Sequence, residues 1–155
     1  MKVKTILFAL ALCFAATAVV SAKTSPHMGT WNLNEAKSKF APGAAKNTKV
    51  VYEAVGDDIK VTVDGVDGSG NATHNEWTGK FNGKFQPVTG DPTSDERSYK
   101  VINWRTLKLT GRKGGKVTVN GTIMVSANGK TRTVTTSGLD AKGKRFRTVA
   151  VYDKE

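Results

Sequence analysis

The sequence predicts an all-β protein: an antiparallel up-and-down meander closing into a barrel of about 8–10 strands, with little helix. Three observations predict it. A basic, then apolar, leader ends near Ala22, and Gly29-Thr30-Trp31-Asn32-Leu33 opens the fold a few residues later. From there to the last residue, short stretches alternate apolar and polar side chains, the period of a strand with one wet face. Hairpin-length turns rich in Gly, Asn and Asp separate them, and no later segment keeps helical spacing.

The leader reads as a secretory signal peptide over residues 1–22. Met1-Lys2-Val3-Lys4 is basic, residues 5–20 carry no charge, and Val20-Ser21-Ala22 is a small-residue exit. The apolar run falls short of the roughly 20 residues that a membrane span requires, so no span is expected in the mature chain. Cys13, the one cysteine, lies inside the leader. Residues 23–155 are then a single barrel domain, exported to the periplasm or the medium, that holds together without a disulfide.

The first strand is expected over 29–34. Residues 35–40 suit one helical turn behind Asn34, stopped by Pro42-Gly43. Val50, Tyr52 and Ala54 then alternate with Lys49, Val51 and Glu53. Beyond Gly56-Asp57-Asp58, Ile59, Val61 and Val63 alternate with Lys60, Thr62 and Asp64. After a turn at 67–71, Thr73, Asn75, Trp77, Gly79 and Phe81 share one face, and Asn82-Gly83 is the strongest hairpin dipeptide in the chain. Residues 85–88, 97–102 and 106–110 are further strands. Val117, Val119, Ile123 and Val125 share a face interrupted by Gly121, read as a bulge or a close approach. Residues 131–136 and 146–152 complete the series.

Charge is unevenly distributed. From Lys23 to Tyr99 there are 9 basic and 10 acidic residues; from Lys100 to Glu155 there are 13 basic and 3 acidic. Such asymmetry fits a polyanionic partner, or a solvated Lys-rich outer face that discourages edge pairing. The candidates for a basic contact surface are Arg105, Arg112, Lys113, Lys144, Arg145 and Arg147. Nucleic acid is not expected as a partner of an exported chain; an anionic envelope lipid or an acidic polysaccharide suits that compartment.

No catalytic constellation and no metal site is expected. The two histidines, His27 and His74, have no partner at ligand spacing. Asp67-Gly68-Ser69-Gly70-Asn71 imitates the start of a calcium loop, but Ala72 stands where Gly is needed and Thr78 where the bidentate Glu is needed. The serines lie in turns and tails, and no strand-turn-helix elbow surrounds one. The chain therefore reads as a non-enzyme without a cofactor.

With Gly29-Thr30-Trp31 at the front and Val151-Tyr152-Asp153-Lys154-Glu155 at the back, the mature chain resembles the calycin barrels, the lipocalins and fatty-acid-binding proteins. It is similar to a group of small secreted bacterial lipocalin-like proteins of unknown function. That likeness runs through Gly29-Thr30-Trp31-Asn32-Leu33-Asn34, Ala36-Lys37-Ser38-Lys39-Phe40, Pro87-Val88-Thr89-Gly90-Asp91-Pro92 and Ala150-Val151-Tyr152. The resemblance implies a barrel with Trp31 plugging one end and an internal cavity for a small apolar molecule. Three features depart from it. Residues 35–46 are too short for a helical lid, and the chain ends on a strand. The position two before Tyr152, where fatty-acid-binding proteins carry a carboxylate-holding Arg, is Ala150.

Candidates to line such a cavity are Trp31, Tyr52, Val61, Trp77, Phe81, Leu109, Val119, Phe146 and Tyr152. The same side chains would equally fill a solid core, because small barrels can be packed shut. The expected function is non-enzymatic binding of a small apolar or amphipathic molecule. The alternative is contact with an anionic envelope component through the basic C-terminal half.

Overall fold

A computed structural model describes residues 25–140 and 142–155; the leader expected over 1–22 lies outside the described residues. Ten strands form one closed antiparallel barrel. They are β1 (Gly29–Leu33), β2 (Lys46–Val55), β3 (Asp58–Val66), β4 (Ala72–Gly79), β5 (Gln86–Thr89), β6 (Glu96–Asn103), β7 (Thr106–Lys113), β8 (Lys116–Val125), β9 (Thr131–Leu139) and β10 (Arg145–Lys154). Each pairs with its neighbours in sequence, and β1 pairs with both β2 and β10, so no edge remains open. The one described helical element is a 3₁₀ turn over Glu35–Lys37, capped by the Asn34 side chain, which accepts from the Lys37 N–H. No described helix is long and apolar enough to cross a membrane.

Strand parity sorts the side chains. β3 shows it best, with Ile59, Val61, Val63 and Gly65 buried and the residues between them half-buried. The core gathers Trp31, Val50, Tyr52, Val61, Trp77, Tyr99, Leu107, Ile123, Val125 and Tyr152, all buried. Trp77 and Tyr99 meet edge to face at 4.7 Å, and Phe81 and Tyr52 extend the aromatic chain.

Two local expectations differ from the structure. Asn82-Gly83 does not make a two-residue hairpin. Gly83 has φ +82° but among the described residues no non-Gly residue has positive φ, so Asn82 cannot supply the left-handed first position of a type I′ turn. Instead Asn82 bridges to Lys100, and the chain takes residues 80–85 to pass from β4 to β5. In β8 the register break lies next to Thr118, where Gly111 pairs with Val119 and Arg112 with Val117. The extra residue turns Val117 to solvent, 53% exposed. Gly121 takes the second of its two expected roles, the close approach, since a Cβ there would meet Thr136 Cγ2 at 2.9 Å.

Gly138 on β9 faces that break. A Cβ on it would lie 1.9 Å from the Thr118 carbonyl oxygen, a backbone atom that cannot rotate away. Gly138→Ala is therefore expected to cost about 1–3 kcal/mol through forced backbone displacement. Chemical denaturation measures it, and an unchanged midpoint would show that the β8–β9 backbone yields freely.

Candidate functional site

The interior holds two arginines, and their surroundings differ. Arg97, on β6, is compensated. Its Nη2 donates to Asp91 Oδ2 at 2.9 Å and to Asn75 Oδ1 at 3.0 Å, and its Nη1 donates to the Tyr99 hydroxyl at 3.4 Å. Its backbone carbonyl accepts from Trp77 Nε1 at 2.8 Å. Arg97 thus joins the turn before β6 to the aromatic core.

Arg132, on β9, is compensated far less. It stands opposite Tyr152 in the β9–β10 register and shares the inward parity of Val134. It is 2% exposed, and among the described residues its Nε and Nη1 have no hydrogen-bond partner and no carboxylate forms an ion pair with it. Three rings surround the guanidinium instead: Tyr152 at 4.7 Å, and Trp31 and Tyr52 at 5.0 Å each. Their π faces offset part of the desolvation cost, each contact contributing about 2 kcal/mol when dry. The Tyr52 hydroxyl lies close enough to act on the guanidinium as a hydrogen-bond partner, but Nε and Nη1 are left without an acceptor.

The segment before β1 closes the barrel over this cation. Trp31 Nε1 donates to the His27 carbonyl at 2.8 Å, Lys154 Nζ donates to the Pro26 carbonyl at 3.4 Å, and Met28 packs on the core. Lys154 also lies over the Trp31 ring, at 5.1 Å. The His27 ring meets Phe81 edge-on, centroids 6.4 Å apart. His27 is buried, and neither ring nitrogen has a partner among the described residues. Burial, then the charges of Arg132 and Lys154, push its pKa down to about 4. Burial also raises the pKa of Tyr52, against the pull of Arg132, and raises that of Tyr152. This end of the barrel is thus a buried aromatic cluster with excess positive charge.

His27 yields a pH prediction. Its folded pKa lies below the ordinary value of 6.5, so between pH 6.5 and 4 the unfolded chain binds more protons. The stabilising contribution is full above pH 6.5 and is lost as pH falls toward 4, up to about 3 kcal/mol. Urea unfolding at pH 7 and pH 4.5 should show a larger acid loss in the natural protein than in His27→Gln. Equal losses would place His27 in water.

The residues anticipated from sequence divide. Trp31, Tyr52, Val61, Trp77 and Tyr152 are in the core, and Phe81 and Leu109 pack against it. Val119 and Phe146 are half-buried nearer the opposite end. Arg105 stacks on Trp104 at 5.3 Å. Arg112 pairs with both Glu96 oxygens, at 2.6 and 2.9 Å, and holds that carboxyl below its usual range. Lys113 donates to the Pro92 carbonyl at 2.7 Å. Lys144, Arg145 and Arg147 are exposed. His74 lies on the outer wall, its pKa raised by a hydrogen bond with Asp64 at 2.6 Å. Sequence reading did not single out Arg132. Its one signal is parity, since it falls in phase with Val134 across from Tyr152.

Two concavities, of about 570 and 390 Å³, open on or near the wall of the later strands. The larger is lined by outward side chains, among them Lys108, Thr122, Thr135, Ser137 and Arg147. The smaller lies between Val117, Leu139, Arg145 and Phe146 at the far end of β8–β10. Among the described residues no group of His, Cys, Asp and Glu is placed to hold a metal ion. The closed ten-strand barrel is compatible with a calycin-like fold. A scan of protein-family models and a search of curated proteins match nothing to this chain.

Proposed function

We propose that this chain is an exported, non-enzymatic barrel of lipocalin-like type that binds a small amphipathic molecule by its anionic group. The observation that carries the proposal is Arg132, a buried guanidinium with Nε and Nη1 unpartnered inside an aromatic cluster. Burying an ion without a counter-charge costs several kcal/mol. A carboxylate or comparable anion against those donors would recover that cost through charge-assisted hydrogen bonds. The resemblance to fatty-acid-binding proteins implies an anchoring Arg on the last strand, where this chain has Ala150. Arg132 supplies the cation from the neighbouring strand, directly across from Tyr152.

Because side chains occupy the core, the molecule is small. Its way in is past the 25–28 segment, which must release the Trp31–His27 and Lys154–Pro26 hydrogen bonds to admit it. The apolar part of the ligand then rests against Phe81 and Tyr52, and its anion faces Arg132. Native mass spectrometry of freshly purified protein tests for a retained molecule. Calorimetric titration with hexanoate and with hexanol tests the chemistry: hexanoate should bind with saturation and hexanol at least tenfold more weakly. Equal affinity would remove the role of the anion, and no binding of either would remove the proposal.

A further inference from the structure

A second surface, on the outside of the barrel, is not used by the Arg132 site. The tip of the β6–β7 hairpin carries Trp104, 66% exposed, beside Ile102, 57% exposed. Met124 on β8 pairs with Thr106 and is 52% exposed, so the apolar tip continues across three neighbouring strands. Exposed large apolar side chains gathered at one place mark an interaction surface, whereas scattered ones do not.

The ground around this tip is cationic. From Arg97 to Leu139 the chain contains no Asp and no Glu. Lys100 and Lys108 sit directly opposite each other in the β6–β7 register, a like-charge pair that isolated sheets disfavour. Arg105 lies over the Trp104 ring at 5.3 Å. Lys108 and Arg147 line the shallow concavity of about 570 Å³, and Ile102 and Thr106 form part of the same lining. Among the described residues none of Lys100, Arg105, Lys108 and Arg147 forms an ion pair, whereas Lys60, Arg97 and Arg112 each do.

We infer that this hairpin tip docks on an anionic lipid bilayer. Trp104, Ile102 and Met124 enter the headgroup region, and Lys100, Arg105, Lys108 and Arg147 lie over lipid phosphates. Tryptophan favours that depth, since its ring is apolar while its N–H still reaches polar groups. Each cation near an anionic leaflet strengthens binding about fivefold. A polysaccharide would satisfy the cations and stack on Trp104, but it gives Ile102 and Met124 no apolar partner. The bilayer accounts for both halves of the surface.

The test is co-sedimentation of the purified protein with phosphatidylglycerol-containing vesicles and with pure phosphatidylcholine vesicles, read with tryptophan quenching by brominated lipid. The protein is expected to bind the anionic vesicles, to release from them as salt rises, and to show quenching that Trp104→Ala abolishes. Trp104→Ala should weaken partition at least tenfold with an unchanged melting temperature, as should Lys108→Glu with Arg147→Glu. Hexanoate binding should be unaltered in these variants, which keeps this result separate from the Arg132 site. No partition to anionic vesicles at low salt would overturn the inference. So would equal binding to both vesicle types, binding without quenching of Trp104, or tighter binding to a soluble acidic polysaccharide than to vesicles.

Discussion

Trp31→Ala is expected to lower folding stability by about 3–5 kcal/mol, the usual cost of removing a fully buried tryptophan. Several physical effects converge on this one residue. Trp31 is 0% exposed, so its removal leaves a void in the core. It also sits on β1, the strand that closes the barrel. Trp31 pairs with Lys154 on one side and with Val50 on the other. Its Nε1 ties down the 25–28 segment through the His27 carbonyl, and its ring faces Arg132. Losing it exposes a buried cation and frees the plug together. Urea unfolding reads the loss, and a cost below about 1 kcal/mol would mean that the closing seam does not depend on this side chain.

Arg132→Met is expected to raise stability in the absence of ligand by about 1–3 kcal/mol. A methionine keeps most of the volume, packs well against rings and has no charge to desolvate. Against this stands the loss of three cation–π contacts, each about 2 kcal/mol when desolvated. The unpartnered Nε and Nη1 decide the sign, because the rings cannot satisfy these donors. The same substitution should eliminate hexanoate binding. Gained stability with lost binding is the signature of a residue kept for function, since natural proteins accept local instability at sites that bind. A loss of more than about 1 kcal/mol would assign Arg132 to the architecture instead.

Much of the fold is legible in the sequence because the signals are local. The alternation of Ile59, Val61 and Val63 fixes which face of β3 is dry, and the structure buries those three. Asn34 marks a helical turn through its side-chain oxygen, and the 3₁₀ turn forms there. What escaped depends on register. Asn82-Gly83 has the composition of a tight hairpin, but the backbone of Asn82 is committed to a bridge with Lys100. Val117 matches the inward pattern, yet one extra residue in β8 rotates it outward.

The candidate site was harder to read for the same reason. Arg132 lies between Thr131 and Thr133 in a half of the chain where most basic residues face water. Nothing in its immediate neighbours separates it from Arg147, which is exposed. The distinction comes from pairing across β9 and β10: Arg132 is opposite Tyr152, whereas Arg147 is opposite Ser137. His27, set aside in sequence because it lacked metal-ligand spacing, becomes relevant only when the barrel brings it beside Phe81, Arg132 and Lys154.

The most direct measurement is a nitrogen-15 NMR titration that follows the Nε–H resonance of Arg132, assigned by its disappearance in Arg132→Met. Hexanoate should move that resonance progressively and to saturation, while hexanol at the same concentrations leaves it in place. A guanidinium signal indifferent to the carboxylate, or displaced equally by the alcohol, would contradict the claim that this buried cation awaits an anion.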